Sequence, residues 1–276
     1  MFWKQFLTPV KKIGQEETQK IMRENDEGTY TLLDVRQPKE YKAGHLPGAK
    51  LIPLPQLKDR LDEIDPNKPT IVYCAVGGRS RVAAQILAGK DFSKVYNLKG
   101  GFKAWEGKYA TGKEDQGLEL FSGKEAADEI LIVAYSLEKG LYKFYQNFAP
   151  KVDSAAARDL FHRLAGIEIN HQRRIFDEYC KVTGINTEID EFDKNTVAPA
   201  MEGGIDTEEY MERYGADIQS TADILDMAMA IEAQALDLYS RAAENTSNPE
   251  SRKVLEQIAD EEQVHLKKLG DLFEEI

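Results

Sequence analysis

Two short stretches of this 276-residue sequence share one spacing. "EINH" at 168–171 sets Glu168 three residues before His171, and "EQVH" at 262–265 sets Glu262 three residues before His265. Each pair has a further glutamate thirty residues upstream of its own: Glu138 in "VAYSLEKGLY" and Glu232 in "MAMAIEAQAL", both inside apolar runs. Sliding the chain by 94 residues lays Ala134 on Ala228, Glu138 on Glu232, Tyr145 on Tyr239, Ala165 on Ala259, Glu168 on Glu262 and His171 on His265. A third reactive stretch, "CAVGGRS" at 74–80, is unrelated to this repeat.

On a helix, positions three apart share a face, so each Glu-x-x-His pair points one way. A single such pair is usually a solvated couple. Two of them, each with an upstream glutamate at the same offset in an apolar run, describe two antiparallel helical hairpins whose carboxylates meet at mid-bundle. Four buried carboxylates without counter-charge would cost several kcal/mol per ion. Two divalent cations supply that charge, and Glu138, Glu168, His171, Glu232, Glu262 and His265 form the ligand set of a dimetal carboxylate bundle. Ligand type leaves iron, manganese and a mixed pair all open. Tyr145 and Tyr239, two turns beyond the upstream glutamates, are placed to hydrogen-bond the ligand carboxylates.

The cysteine stretch reads as a strand end, a loop and a helix start near Ser80. Gly77 and Gly78 let the loop of Ala75, Val76, Gly77, Gly78 and Ser80 turn its N–H groups inward toward Cys74, and a helix N-terminus favours an anion there. Arg79 adds a positive charge. Such surroundings lower a thiol pKa and stabilise an attacking thiolate or a persulfide anion. Cys180 in "FDEYCKVTG" has no comparable basic nest and reads as an inert helix residue. His162 lies nine residues before His171, on the opposite helix face, and reads as a surface histidine.

The elements that must position these groups fall into two halves. In the first, "YTLLDV" (30–35), "KLIPL" (50–54), "TIVYCA" (70–75) and "KVYNL" (94–98) read as strands. "GQEETQKIMREN", "LPQLKDRLDEI" and "RSRVAAQILAGK" read as helices between them, which predicts an α/β sheet with helices on both faces. The polar, glycine-rich 106–123 region contains the junction, and the boundaries expected are a domain over 1–110, a linker over 111–122 and an all-α four-helix bundle over 123–276. The bundle helices are expected at about 123–149, 153–183, 220–246 and 249–274. "SGKE" at 122–125 and "STAD" at 220–223 serve as capping boxes, and "NPE" at 248–250 as cap and first turn. The stretch 184–219 reads as a long crossover between helices two and three, too acidic for the core, with a short helix at "TEEYMERYG".

Charge divides at the same place. Residues 1–110 carry 19 Lys and Arg against 13 Asp and Glu, whereas the remainder carries 17 against 35. The acidic half argues against a nucleic-acid partner. No apolar run reaches the roughly 20 residues of a membrane span. Two cysteines form no disulfide framework and suit a reducing compartment, so the expected location is cytoplasmic.

Residues 123–276 resemble the ferritin-like superfamily, in its rubrerythrin and bacterioferritin branch. That resemblance implies an oxo-bridged centre of two iron ions per chain that reacts with peroxide or dioxygen, and at least a homodimer. Where rubrerythrins carry a further glutamate three residues after the third-helix ligand, this chain has Ala235, so the site is closer to the six-ligand bacterioferritin type. With no C-x-x-C pair for a rubredoxin iron, an external electron donor such as a rubredoxin-like protein is required. Residues 5–110 resemble the rhodanese domain through "LLDVRQPKEYKAGHLPGAKLIPL", "CAVGGRS" and "LKGGFKAW". This implies a sulfurtransferase in which Cys74 takes sulfane sulfur from a small donor and passes it to a thiol or cyanide, within the six-residue loop length of that activity. Asp34, Arg36 and His45 are then scaffold residues. Two other readings fit the same residues: a persulfide carrier or sensor at Cys74, and an iron-binding or oxidising module of little turnover in the bundle.

Overall fold

A computed structural model describes residues 9–196 and 220–274. The chain divides into two compact units, Met1–Asp115 and Gln116–Ile276.

The first unit is a five-stranded parallel sheet of β1 (Lys11–Ile13), β2 (Thr31–Asp34), β3 (Lys50–Leu51), β4 (Thr70–Tyr73) and β5 (Val95–Leu98), in the order β1-β5-β4-β2-β3. Its helices are α1 (Gln15–Glu24), α2 (Pro38–Ala43) and α3 (Gly78–Ala88). The central strand β4 is buried throughout, as an apolar run covered on both faces must be. Successive side chains serve opposite faces: Val72 and Cys74 join Ala83, Ala84 and Leu87 of α3, whereas Ile71 and Tyr73 join Met22 of α1 and Tyr41 of α2. Cys74 therefore emerges at the carboxyl end of the central strand, where open parallel sheets place their sites.

Three local expectations change. β1 was not anticipated, because "KKI" buries only its last residue. "KLIPL" shrinks to the two-residue β3. "LPQLKDRLDEI" forms two 3-10 turns, Leu54–Asp59 and Leu61–Glu63, rather than a helix. Leu54 and Leu57, and Leu61 and Ile64, stand three residues apart, the period of a 3-10 turn, and all four pack on the core, Leu57 and Ile64 buried and Leu54 and Leu61 in part.

The second unit contains α4 (Ala127–Phe148), α5 (Ala155–Thr183), the short α6 (Ile189–Phe192), α7 (Thr221–Asn245) and α8 (Pro249–Glu274). The four long helices match the expected bundle, α4 packing chiefly on α5 and α7 on α8. Ser154 and Ser220 cap α5 and α7 by accepting from the Ala157 and Asp223 amides, and Asn248 accepts from Glu250 and Ser251 at the start of α8. At the first helix the expected cap is displaced. Glu125 does collect the amides of Ser122, Gly123 and Lys124, but that closes a turn, and α4 begins only after Ala126.

The junction also differs from a free linker. Gly112 still donates to Lys42 in the first unit. Beyond Asp115, Phe121 is buried in the bundle core, and buried Arg241 donates to the Gln116 carbonyl. The crossover likewise contributes to the core: Phe192 is 1% exposed, against Tyr135, Phe176 and Tyr179. The short helix expected at 207–215 lies outside the described residues.

Two apolar clusters fill the bundle, one including Leu141, Phe144, Phe161, Leu164, Ala228 and Ile231, the other Leu131, Ala134, Ile175, Ala235, Leu255 and Ile258. On every long helix the acidic ligand position falls in sequence between the residues given to one cluster and those given to the other. No helix among the described residues is long and apolar enough to cross a membrane.

Candidate functional site

All six expected metal ligands are buried and come together. Glu138, Glu168 and His171 form one triad and Glu232, Glu262 and His265 a second, the ligand atoms of each lying within 4.8 Å of one another. His171 Nδ1 is 2.9 Å from Glu168 and 3.5 Å from Glu138, while His265 Nδ1 is 3.0 Å from Glu262 and 3.7 Å from Glu232. The two imidazoles stack, 3.7 Å between centroids.

These residues fit a cation pair. One buried oxygen each of Glu138, Glu168 and Glu232 accepts no well-aligned hydrogen bond, the nearest polar group being a histidine Nδ1 at 3.5, 2.9 and 3.7 Å respectively. Buried acceptors in that state are costly unless a positive charge meets them. Without metal, protons take part of that role. Burial would lower the His171 pKa, but the Glu138 and Glu168 charges push it up to about 11. Burial would raise the Glu138 carboxyl, yet charged His171 holds it below the ordinary range. Burial pushes Glu168 well above that range, His171 opposing and Glu138 and Glu232 reinforcing the rise. Tyr145 and Tyr239 are fully buried, one in each apolar cluster. Ala235 is buried as well. His162 is exposed, as expected, and Cys180 is partly exposed on α5.

In the first unit Cys74 is 1% exposed. Its Sγ accepts from the Gly77 amide at 3.1 Å and lies 3.4 Å from the Ser80 hydroxyl. Burial would raise the thiol pKa, but the Ser80 hydroxyl and the amides of Ser80, Val76 and Gly77 together bring it below the ordinary value. Gly77, at φ +95°, caps α3, which begins at Gly78, two residues earlier than expected. Val76 is the exposed apex of the loop.

Two contacts behind the loop join residues distant in sequence. Asn97 on β5 accepts from the Ser80 hydroxyl at 2.7 Å and donates toward the Gly77 carbonyl at 3.4 Å. A polar residue in the apolar "KVYNL" was the available signal. Gly101, at φ +62°, lies so close that a Cβ would come within 2.1 Å of the Cys74 carbonyl oxygen. The next two amides, of Phe102 and Lys103, donate to the carbonyls of Cys74 and Ala75 at 2.8 and 3.0 Å. Glycine is thus required where the loop is buttressed.

Arg79, expected to add positive charge at the loop, is paired with a carboxylate. Both its terminal nitrogens are engaged by Glu40 of α2, at 2.6 and 2.7 Å. Asp34, Arg36 and His45 are scaffold, as expected. Arg36 grips Asp34 and the Gly44 carbonyl, and His45 stacks on Tyr41 and contacts its carbonyl.

An α/β unit with a cysteine cradled at a helix N-terminus, followed by a helical bundle lined with two Glu-Glu-His triads, defines a two-module chain of sulfurtransferase-like and ferritin-like parts. The family model described as Rubrerythrin matches residues 129–272, more than half of the chain, and the Rhodanese-like domain model matches residues 16–108. The chain belongs to the rubrerythrin family and carries a rhodanese-like domain ahead of its di-iron-type bundle.

Several known proteins resemble about a third of the chain. The uncharacterized protein YqhL of Bacillus subtilis (strain 168) is 50% identical over 82 residues, 30% of this chain and 65% of that protein. The thiosulfate sulfurtransferase GlpE of Pseudomonas entomophila (strain L48) is 38% identical over 86 residues, 31% of this chain and 78% of that protein. A rhodanese-like domain protein from Staphylococcus aureus of known structure is 29% identical, with a TM-score of 0.35, over 38% of this chain and all of that one.

Proposed function

We propose that the first unit is a sulfurtransferase in which Cys74 forms a persulfide. The observation that carries this is the Gly77 N–H on Cys74 Sγ at 3.1 Å, within a loop whose Val76 and Ser80 amides also act on the sulfur. The Cys74 thiolate attacks the outer sulfur of a small sulfane-sulfur donor, and the donor's remainder leaves with the bonding electron pair. The persulfide anion then rests on the amide cradle until a thiol or cyanide takes its terminal sulfur. The resemblance to a thiosulfate sulfurtransferase supports thiosulfate as one donor. Thiocyanate formation from thiosulfate and cyanide tests this, with Cys74→Ser expected to abolish it and leave bound metal unchanged.

For the bundle we propose a centre of two iron ions held by Glu138, Glu168, His171, Glu232, Glu262 and His265. Carrying this is the pair of buried Glu-Glu-His triads. When bound, such a pair supplies redox chemistry toward dioxygen or peroxide. The chain's own contribution is to hold four carboxylates at mid-bundle, fix two imidazoles by stacking, and keep water out with apolar clusters on either side. Tyr145 and Tyr239 are proposed to hydrogen-bond ligand carboxylates. An external rubredoxin-like protein is proposed as electron donor. Metal content and the ultraviolet–visible spectrum before and after peroxide test the assignment. Absence of any transition metal after reducing, iron-replete purification would defeat it.

A homodimer is proposed as the assembly, supported by the exposed Ile167 and Ile169 on α5 and Val264 on α8. Sedimentation at micromolar concentration should give twice the chain mass, and a monomer would count against it.

A further inference from the structure

From Cys74 to Ser80 the sequence contains one charged side chain besides the cysteine, Arg79. That cation is already engaged. Its guanidinium meets Glu40 through two parallel hydrogen bonds of 2.6 and 2.7 Å, while also lying close enough to Cys74 to feel its charge. Glu40 is held in place from its own side, accepting the Gln37 amide at 3.0 Å across the first turn of α2. Arg79 pulls the Glu40 carboxyl down to about 2, so the carboxylate is ionised throughout the working pH range.

The charges decide what approaches. With the thiolate formed, Cys74, Arg79 and Glu40 sum to one negative charge; without Glu40 the sum would be zero. The loop amides solvate the sulfur but carry no net charge. A dianionic donor is repelled by this cluster more strongly than a monoanionic one of similar shape. We infer that Glu40 sets the donor preference of the Cys74 loop, cancelling the Arg79 charge and so favouring monoanionic sulfane-sulfur donors over dianionic thiosulfate. This rests on the sulfurtransferase reading of Cys74.

The step has the same form for either donor. The Cys74 thiolate bonds to the terminal sulfur and the donor's S–S bond breaks. Sulfite leaves thiosulfate, or methanesulfinate leaves methanethiosulfonate, each with the bonding pair. The two donors differ chiefly in that a methyl replaces one oxygen, and with it one negative charge.

The test compares kcat/KM for these donors with cyanide as acceptor, in the full-length chain. Glu40→Gln keeps an oxygen for the Gln37 amide and removes the charge. It should improve thiosulfate relative to methanethiosulfonate by about three- to tenfold, chiefly through KM, since the pair is partly exposed and screened. The gain should shrink at about 1 M salt. Glu40→Asp should keep the wild-type ratio. Arg79→Gln should shift the ratio the other way, because it leaves the Glu40 charge unbalanced, so the inference stays testable if Glu40→Gln does not fold. An unchanged ratio in both charge variants, or an equal loss with both donors, would overturn the inference and leave sulfur transfer standing. Transfer persisting from both donors in Cys74→Ser would instead remove the sulfurtransferase reading itself.

Discussion

The imidazole rings of His171 and His265 lie face to face, 3.7 Å between centroids and 6° between planes, although 94 residues separate them in sequence. The repeat along the chain is thus a repeat in space, and the two triads form a single cluster. Groups that share one site do not contribute independently. Protein purified under reducing, iron-replete conditions should hold two metals per chain. Glu168→Ala or Glu262→Ala should each lower that number, and Glu168→Ala/Glu262→Ala should lose less than the sum of the single losses. Metal analysis of the three variants decides; full occupancy in the double variant would sink the six-ligand assignment.

The thiol of Cys74 sits below its ordinary pKa because hydrogen-bond donors outweigh burial. Removing a donor favours the neutral thiol, so Ser80→Ala should raise the midpoint for alkylation of Cys74 and slow the reaction several-fold at pH values below both midpoints. Above both midpoints the rates should converge. Rate–pH profiles with iodoacetamide measure this, and coincident midpoints would show that the Ser80 proton is committed to Asn97.

Much of this was legible because it rests on periodicity and local chemistry. The four long helices were readable from 3.6-residue apolar patterns and cap residues, and the two buried Glu-Glu-His triads from residues repeated at one offset. The alternation of buried strands with helices gave the parallel sheet. What escaped depended on contacts between residues distant in sequence. Glu40 stands in a recognisable motif, but nothing local says that it meets Arg79, 39 residues away. The polarity of Asn97 was visible, though its bond to Ser80 requires β5 to lie beside β4. The acidic look of the crossover concealed Phe192, whose burial is decided by aromatic partners on α4 and α5.

Gly101 and Gly78 make a paired test of the cysteine loop. A Cβ at Gly101 would stand 2.1 Å from the Cys74 carbonyl oxygen and 2.8 Å from the Val76 nitrogen, at a backbone φ of +62°. A Cβ at Gly78 would meet nothing within 4 Å. Gly101→Ala should cost the first unit about 2–4 kcal/mol and most of its sulfur transfer, because both backbone strain and a clash are introduced. Gly78→Ala should unfold within about 0.5 kcal/mol of wild type. Denaturant unfolding of both variants, read in the first unit, checks the contrast. Equal midpoints would mean that the loop is not buttressed as described.

The start of the crossover is held by two contacts of different kinds, and their magnitudes say which matters. Phe192 is 1% exposed and packs edge-on to Tyr135 at 4.9 Å, with Tyr179 at 4.5 Å and Phe176 at 5.4 Å. Beside it Lys139 pairs with Asp193 at 2.7 Å, with both side chains partly exposed. Truncating a buried phenylalanine loses its transfer energy and leaves a cavity, about 3–5 kcal/mol. An exposed ion pair contributes about 1 kcal/mol or less and is screened by salt. Phe192→Ala should therefore destabilise the bundle several times more than Asp193→Asn, and only the second effect should fade as salt is raised. Both variants retain all six ligands, so both should reach two metals per chain at saturating iron, which separates loss of packing from loss of the site. Thermal unfolding of the metal-free variants at low and high salt gives the comparison; a larger cost for Asp193→Asn would mean that charge, rather than aromatic packing, fastens the crossover to α4.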